Sequence, residues 1–159
     1  MKYETDACYM RLALEQAQLA YKLGEVPVGA VIVKKITGEI VGKGYNRREC
    51  DKSPLAHAEI IAINEASKSL GGWRLIDCEL FVTLEPCPMC AGAIINSRIE
   101  RIVFGASDLK AGSCGSVVNL FELPFNHKPE ITAGVLEEEC SALLSDFFKN
   151  LRKNKADKG

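Results

Sequence analysis

No run in this sequence approaches the ~18 consecutive apolar residues that a membrane-spanning helix needs, which excludes a chain held in a bilayer by helices. Its first ten residues, MKYETDACYM, lack the basic-then-apolar order of a secretory leader. The seven cysteines are an odd set without regular spacing, so a disulfide framework is not expected and the thiols should stay free or bind metal. Together these absences point to a reducing cytoplasm. Charge of one sign is missing too: 20 Lys and Arg stand against 21 Asp and Glu, a formal net charge of -1. A nucleic-acid partner would therefore be held by a local basic patch and not by the overall field. One such patch is the tail at residues 149–159, where Lys149, Arg152, Lys153, Lys155 and Lys158 stand against a single acid, Asp157. A solvated, frayed end has the same composition. There is no internal repeat and no low-complexity segment. With 47% apolar and 26% charged residues the chain reads as globular, and its 159 residues fit one domain spanning 1–159.

Hydrophobic periodicity orders the elements. Met10, Ala13, Leu14, Ala17 and Tyr21 follow helical spacing over residues 6–23, and Gly24 is placed to stop that helix in a left-handed cap. Residues 28–33 and 39–46 are short β-rich runs around a turn and predict an antiparallel hairpin. Residues 56–70 return to helical spacing, with Ile60, Ile61 and Ile63 on the apolar side and Gly71-Gly72 as the stop. A strand at 79–85, a helix at 88–97 and a strand at 101–106 form a β-α-β unit, which predicts a parallel, right-handed crossover. Residues 107–130 hold only a short apolar run at 117–121, and a stretch of that length suggests a functional loop. A last strand at 131–135 precedes a terminal helix whose apolar face is Leu136, Cys140, Leu143, Leu144, Phe147 and Leu151. The sum is an α/β layered domain with a mixed sheet flanked by helices.

Two short segments carry chemistry: His57-Ala58-Glu59, and Pro86-Cys87-Pro88-Met89-Cys90. Catalytic zinc takes three protein ligands, often imidazole and thiolate, and keeps a fourth position open to water. His57, Cys87 and Cys90 supply three. Cys87 and Cys90 are three apart across the opening turn of a helix, where unpaired N–H groups and the helix dipole favour thiolates and where proline is well tolerated. His57 also sits at a helix start, and helix N-termini at one sheet edge are where an α/β fold holds its site. Glu59 is a general acid/base candidate: zinc lowers the pKa of coordinated water to about 7, and a carboxylate beside it can take and return the proton. The H-x-E with P-C-x-x-C pattern is that of zinc deaminases acting on nucleobases. Two alternatives compete with it. One is a redox C-x-x-C; the other is a closed structural zinc site, which would need a fourth ligand from Cys50, Cys78, Cys114, Cys140 or His127. Cys8, Cys78 and Cys140 read most simply as small core or surface residues.

Beyond this pair, ExPVGAV at 25–31, HAEI at 57–60, TLEPCPMCAGAI at 83–94, SRIxRIVFGAxDxKxG at 97–112, FNHxPEI at 125–131 and GVLEEEC…LLSDFF at 134–148 resemble the bacterial tRNA-specific adenosine deaminases. The H-A-E and P-C-x-x-C pair is shared across the wider cytidine-deaminase-like superfamily and speaks only to the reaction. The resemblance implies a three-layer α/β/α cytidine-deaminase-like fold whose mixed five-stranded sheet ends in two parallel strands. It implies a homodimer, one zinc ion per subunit, and conversion of adenosine to inosine at the wobble position in the anticodon stem-loop of an arginine tRNA, with neither DNA nor membrane as partner. By the same likeness Asn46 would hydrogen-bond the flipped adenine, and Asp108 would contact the sugar of the preceding nucleotide. Phe148 and Arg152 would pack against splayed anticodon-loop bases, since single-stranded RNA bases stack on aromatic rings and guanidinium planes. The structural alternatives are a strand-ending turn residue for Asn46 and a turn or cap residue for Asp108. Asn126 and His127 read as loop-structuring residues. The competing functions are a free-base or nucleoside deaminase on the same scaffold and a non-catalytic RNA-binding module with structural zinc.

Overall fold

The computed structural model describes residues 2–158, with side chains described from residue 5 to residue 157. In chain order the elements are α1 (Lys2–Lys22), β1 (Gly29–Lys34), β2 (Ile40–Tyr45), α2 (Ala58–Leu70), β3 (Cys78–Leu84), α3 (Pro88–Asn96), β4 (Arg101–Ala106), a 3-10 turn (Leu120–Glu122), β5 (Glu130–Ala133) and α4 (Glu137–Lys158). The strands lie in the order β2-β1-β3-β4-β5. β1 runs antiparallel to both β2 and β3, while β3 with β4 and β4 with β5 are parallel. This is the expected mixed five-stranded sheet with its last two strands parallel. Both expected glycine stops are left-handed, Gly24 at φ 77 and Gly71 at φ 74.

Strand alternation builds the layers. Ala30, Ile32, Leu80, Val82, Ile102 and Phe104 pack with residues of α2 and α3 on one face of the sheet. Val31, Val33, Phe81 and Val103 pack with residues of α1 and α4 on the other. Because helices cover both faces, the inner strands are apolar at successive positions, and all six residues of β4 are buried.

On α2 the spacing argument needs correction. The buried stripe is Ala58, Ala62 and Ala66, and Ile60, Ile61 and Ile63 are only half-buried beside it. The cause lies on β2, where Gly42 and Gly44 leave the strand bare. A Cβ on Gly42 would overlap the carbonyl oxygen of Ala62, and one on Gly44 that of Ala58. Glycines against alanines let helix and sheet backbones approach closely, and the bulky isoleucines are displaced to the flanks.

The segment after β4 holds more structure than a bare loop. It contains an isolated bridge between Cys114 and Asn119, and Asn119 caps the 3-10 turn by accepting from the Phe121 N–H at 3.0 Å. Phe121 is buried in the α2/α3 core. Nε2 of His127 lies 2.7 Å from the carbonyl oxygen of Ile99, which ties the loop to the start of β4 as its structural reading expects. α4 buries Cys140 and Phe147 but leaves Leu151 40% exposed, because its final turns run beyond the core. Lys149, Arg152, Lys153 and Lys155 of the basic tail are exposed on that helical extension, while the Lys158 side chain lies outside the described residues. Among the described residues no helix is long and apolar enough to cross a membrane.

Candidate active site

The site begins with two helix starts. His57 is the N-cap of α2 and Cys87 the N-cap of α3; both have extended backbones, and neither side chain caps its own helix. Pro88 occupies the first turn of α3, where no N–H is needed. Each helix follows a strand of the sheet, so both N-termini open at one end of it, and the side chains left free at the caps converge. Nδ1 of His57 lies 3.6 Å from Sγ of Cys87 and 3.5 Å from Sγ of Cys90.

All three donor atoms lie within 4.8 Å of one another. Tetrahedral bonds of about 2.0–2.3 Å hold ligand atoms about 3.5–3.8 Å apart, so the trio has the dimensions and donor chemistry of a zinc site with one imidazole and two thiolates. Among the described residues no fourth His, Cys or carboxylate joins this cluster. Cys50, Cys78, Cys114, Cys140 and His127, the candidates for closing a structural site, are therefore not part of it. A redox C-x-x-C has no need of the H-A-E segment, whereas here His57 is set against both sulfurs as a third donor.

The three donors act strongly on one another. The Cys87 thiol is brought down to about 4, first by its hydrogen bond with Cys90, then by His57, against the opposing effect of burial. Cys90 is driven upward by Cys87 and by burial. His57 is raised, chiefly by Cys87.

Glu59 lies in the first turn of α2 and is 4% exposed. Burial, opposed in part by hydrogen bonds and His57, pushes its carboxyl up to about 7. A carboxyl near neutrality can both accept and return a proton.

These residues form the floor of a cavity of about 490 Å³. His57, Glu59 and Cys87 line it, and Cys90 lies buried beneath. Asn46, Asp108 and Phe148 line the same cavity, whereas Arg152 does not; it is exposed on α4 one turn beyond Phe148. Asn46 is buried at the end of β2, donating from Nδ2 to the Val26 carbonyl at 3.1 Å and accepting at Oδ1 from the Arg48 N–H at 3.2 Å. An amide has two donors and two acceptor sites, so this turn role leaves capacity toward the cavity. Asp108 accepts from the N–H groups of Lys110 and Ala111 at 3.0 and 3.2 Å, and so builds the turn that its structural reading expects. Phe148 is 40% exposed and meets Phe147 edge-on at 5.4 Å.

Sequence reasoning missed four residues of this site. Arg48, Lys110 and the buried Glu85 line the cavity, and Glu25 lies buried behind it. A glutamate ending an apolar strand and another just before one were visible signals, because Glu is rarely fully buried.

Comparison with known proteins places this arrangement. Residues 3–106 match the model of the cytidine and deoxycytidylate deaminase zinc-binding region. The tRNA-specific adenosine deaminase of Bacillus subtilis is 53% identical over 151 residues, covering 94% of this chain and 92% of that protein. The enzyme of the same name from Haemophilus influenzae is 50% identical over 156 residues, covering 98% and 90%. A solved structure described as a tRNA:A34 deaminase, which carries out A-to-I editing at the wobble position, superimposes with a TM-score of 0.81 at 41% identity, covering 85% of this chain and 97% of that one. A guanine deaminase from Nitrosomonas europaea superimposes with a TM-score of 0.79 at 26% identity, covering 89% and 83%.

Proposed function

The chain belongs to the tRNA-specific adenosine deaminases, within the family that carries the cytidine and deoxycytidylate deaminase zinc-binding region, and on that premise we propose that it hydrolyses adenosine to inosine at the wobble position of an arginine tRNA. The observation that carries this reading is the buried Glu59 carboxyl beside the His57, Cys87 and Cys90 donors, on the floor of a cavity that Asn46, Asp108 and Phe148 also line.

His57, Cys87 and Cys90 would hold one zinc ion per subunit. Bound there, zinc supplies an acidified water as nucleophile at neutral pH. Glu59 would take one proton from the water as its oxygen bonds to C6 of the base and place it on N1; the second proton, lost from the C6 hydroxyl as the carbonyl forms, would pass through Glu59 to the departing amine. Water is consumed, the C6–N bond breaks, and ammonia and inosine leave. Asn46 orients the base through its remaining amide capacity. Asp108 meets the sugar of the preceding nucleotide, and Phe148 with Arg152 stacks on bases turned out of the loop. A base in an anticodon loop reaches such a pocket at lower unstacking cost than one in a stem.

The same reading takes residues 1–159 as one deaminase domain with a basic tail at 149–159, working as a homodimer in the cytoplasm, with an anticodon stem-loop and no DNA as substrate. The test is incubation of the purified protein with an arginine tRNA anticodon stem-loop, free adenosine, cytidine and guanine, followed by mass analysis of each. Conversion of the stem-loop alone is expected. Conversion confined to a free base or nucleoside would replace this reading with that of a small-molecule deaminase.

A further inference from the structure

Two irregular segments wall the cavity. One, residues 46–57, joins β2 to α2, carries Asn46 and Arg48, and ends on His57; the other leaves β4 at residue 107 and carries Asp108, Leu109, Lys110 and Ala111. Irregular backbone leaves N–H groups that need acceptors, and a buried carboxylate serves each segment.

Glu85, 2% exposed, accepts four hydrogen bonds from the second wall. Its Oε1 takes the Asp108 N–H at 3.1 Å and the Ser116 hydroxyl at 2.5 Å. Its Oε2 takes the N–H groups of Cys114 and Ser116, each at 3.1 Å. Gly112 lies directly over this carboxylate, where a Cβ would overlap both Cδ and Oε1 of Glu85. Glu25, also 2% exposed, does the same for the first wall, with the Glu49 N–H at 3.1 Å on Oε1 and the Cys50 N–H at 2.8 Å on Oε2. Among the described residues neither carboxylate belongs to an ion pair. Backbone N–H groups supply most of their partners, with the Ser116 hydroxyl added at Glu85.

We infer that Glu25 and Glu85 are paired positioning residues which hold the two walls of the cavity mouth in the shape that receives the substrate strand. The inference rests on the RNA reading above for the identity of that strand. Because each wall is held through its backbone, the side chains of Arg48 and Lys110 are not consumed in anchoring it. They line the cavity as two cations, one on each segment, an arrangement suited to backbone phosphates of a strand entering it. Glu85 lines the cavity and Glu25 does not, but the oxygens of both carboxylates are taken up by donors of the wall segments, so loss of either should weaken capture of the strand more than proton transfer.

Glutamine is the discriminating substitution. At Glu85 it keeps one oxygen and turns an NH₂ toward the donors on the other side, so whichever way the amide lies at least one backbone N–H loses its acceptor, although the Ser116 hydroxyl can turn to accept; at Glu25 one N–H loses its acceptor. In Glu85→Gln, amide exchange at Asp108, Cys114 and Ser116 should quicken and KM for the anticodon stem-loop should rise, each by about tenfold, with kcat within about threefold. Zinc content should be unchanged. In Glu25→Gln the faster amides should be Glu49 and Cys50, with the same split of KM from kcat. Should Glu85→Gln fail to fold, Ser116→Ala removes the hydroxyl contact alone and should show the same pattern more weakly. Unchanged exchange at these amides, or a fall in kcat with KM unchanged, would overturn the inference. If the wild type leaves the stem-loop untouched, the RNA reading fails by itself, and the exchange measurement still decides whether the carboxylates hold the walls.

Discussion

Gly44→Ala tests how the helix carrying His57 and Glu59 is seated. The added methyl meets the Ala58 carbonyl oxygen, with the Ala62 nitrogen at 2.8 Å and the Ile61 Cβ at 3.0 Å. Two of these three atoms are backbone, so no rotamer change relieves the overlap. Restoring ordinary contact requires α2 and β2 to part by about 1 Å. Overpacking of this kind costs about 1–3 kcal/mol, which in a chain of this size lowers Tm by about 2–12 °C. The displaced turn begins at Ala58, between His57 and Glu59. A shift of about 1 Å at a catalytic group costs on the order of 100-fold in rate. Calorimetry, zinc analysis and single-turnover deamination of the stem-loop read the three consequences. A Tm within about 1 °C of wild type would refute the steric argument. A lowered Tm with the wild-type rate would show that this contact does not govern the position of Glu59.

Glu59→Ala should retain zinc and lose about 10²–10⁴-fold in rate, the usual contribution of a positioned acid/base; zinc analysis and single-turnover kinetics on one preparation check both. Arg101 is bidentate to Asp6 at 3.0 and 2.8 Å and also bonds Glu79 and Thr132, joining α1, β3, β4 and β5. Arg101→Leu strands the buried Asp6 and the partly buried Glu79, so it should cost about 3–5 kcal/mol and lower Tm without changing the rate of the folded protein. For Glu25, burial works to raise the carboxyl, but the N–H groups of Cys50 and Glu49 outweigh it and hold it below its ordinary value. A carboxyl lowered in the fold stabilises it above the unfolded value of about 4.3 and ceases to as pH falls through the folded value. Wild-type Tm should therefore drop more steeply than that of Glu25→Gln on acidification below about pH 4.3.

Much of this was legible in the residues because it depends on local patterns. Strand alternation, the two glycine stops and the β-α-β unit follow from periodicity, and H-A-E with P-C-x-x-C fixes a donor trio whose spacing sets it at two helix starts. What stayed hidden depends on contacts distant in the chain. The isoleucines of α2 look like its core face until Gly42 and Gly44 of β2 are set against the helix, after which only alanine fits the buried stripe. Glu85 lies 23 to 31 residues from the groups it anchors, and no spacing rule connects them. Asn46 and Asp108 are turn-building residues and cavity-lining residues at once, so the turn role of each does not exclude its proposed contact with substrate. Arg152 stands apart from the cavity because the helix carrying it runs past the core.

The central claim is hydrolysis at C6 of one adenine, with Glu59 moving the proton. It is tested most directly by single-turnover reaction of the wild type and Glu59→Ala with an arginine tRNA anticodon stem-loop in heavy-oxygen water. The account predicts one inosine, at the wobble position, carrying the heavy oxygen in the wild-type reaction and almost none in the variant. Unlabelled inosine, or equal product from both proteins, would contradict it.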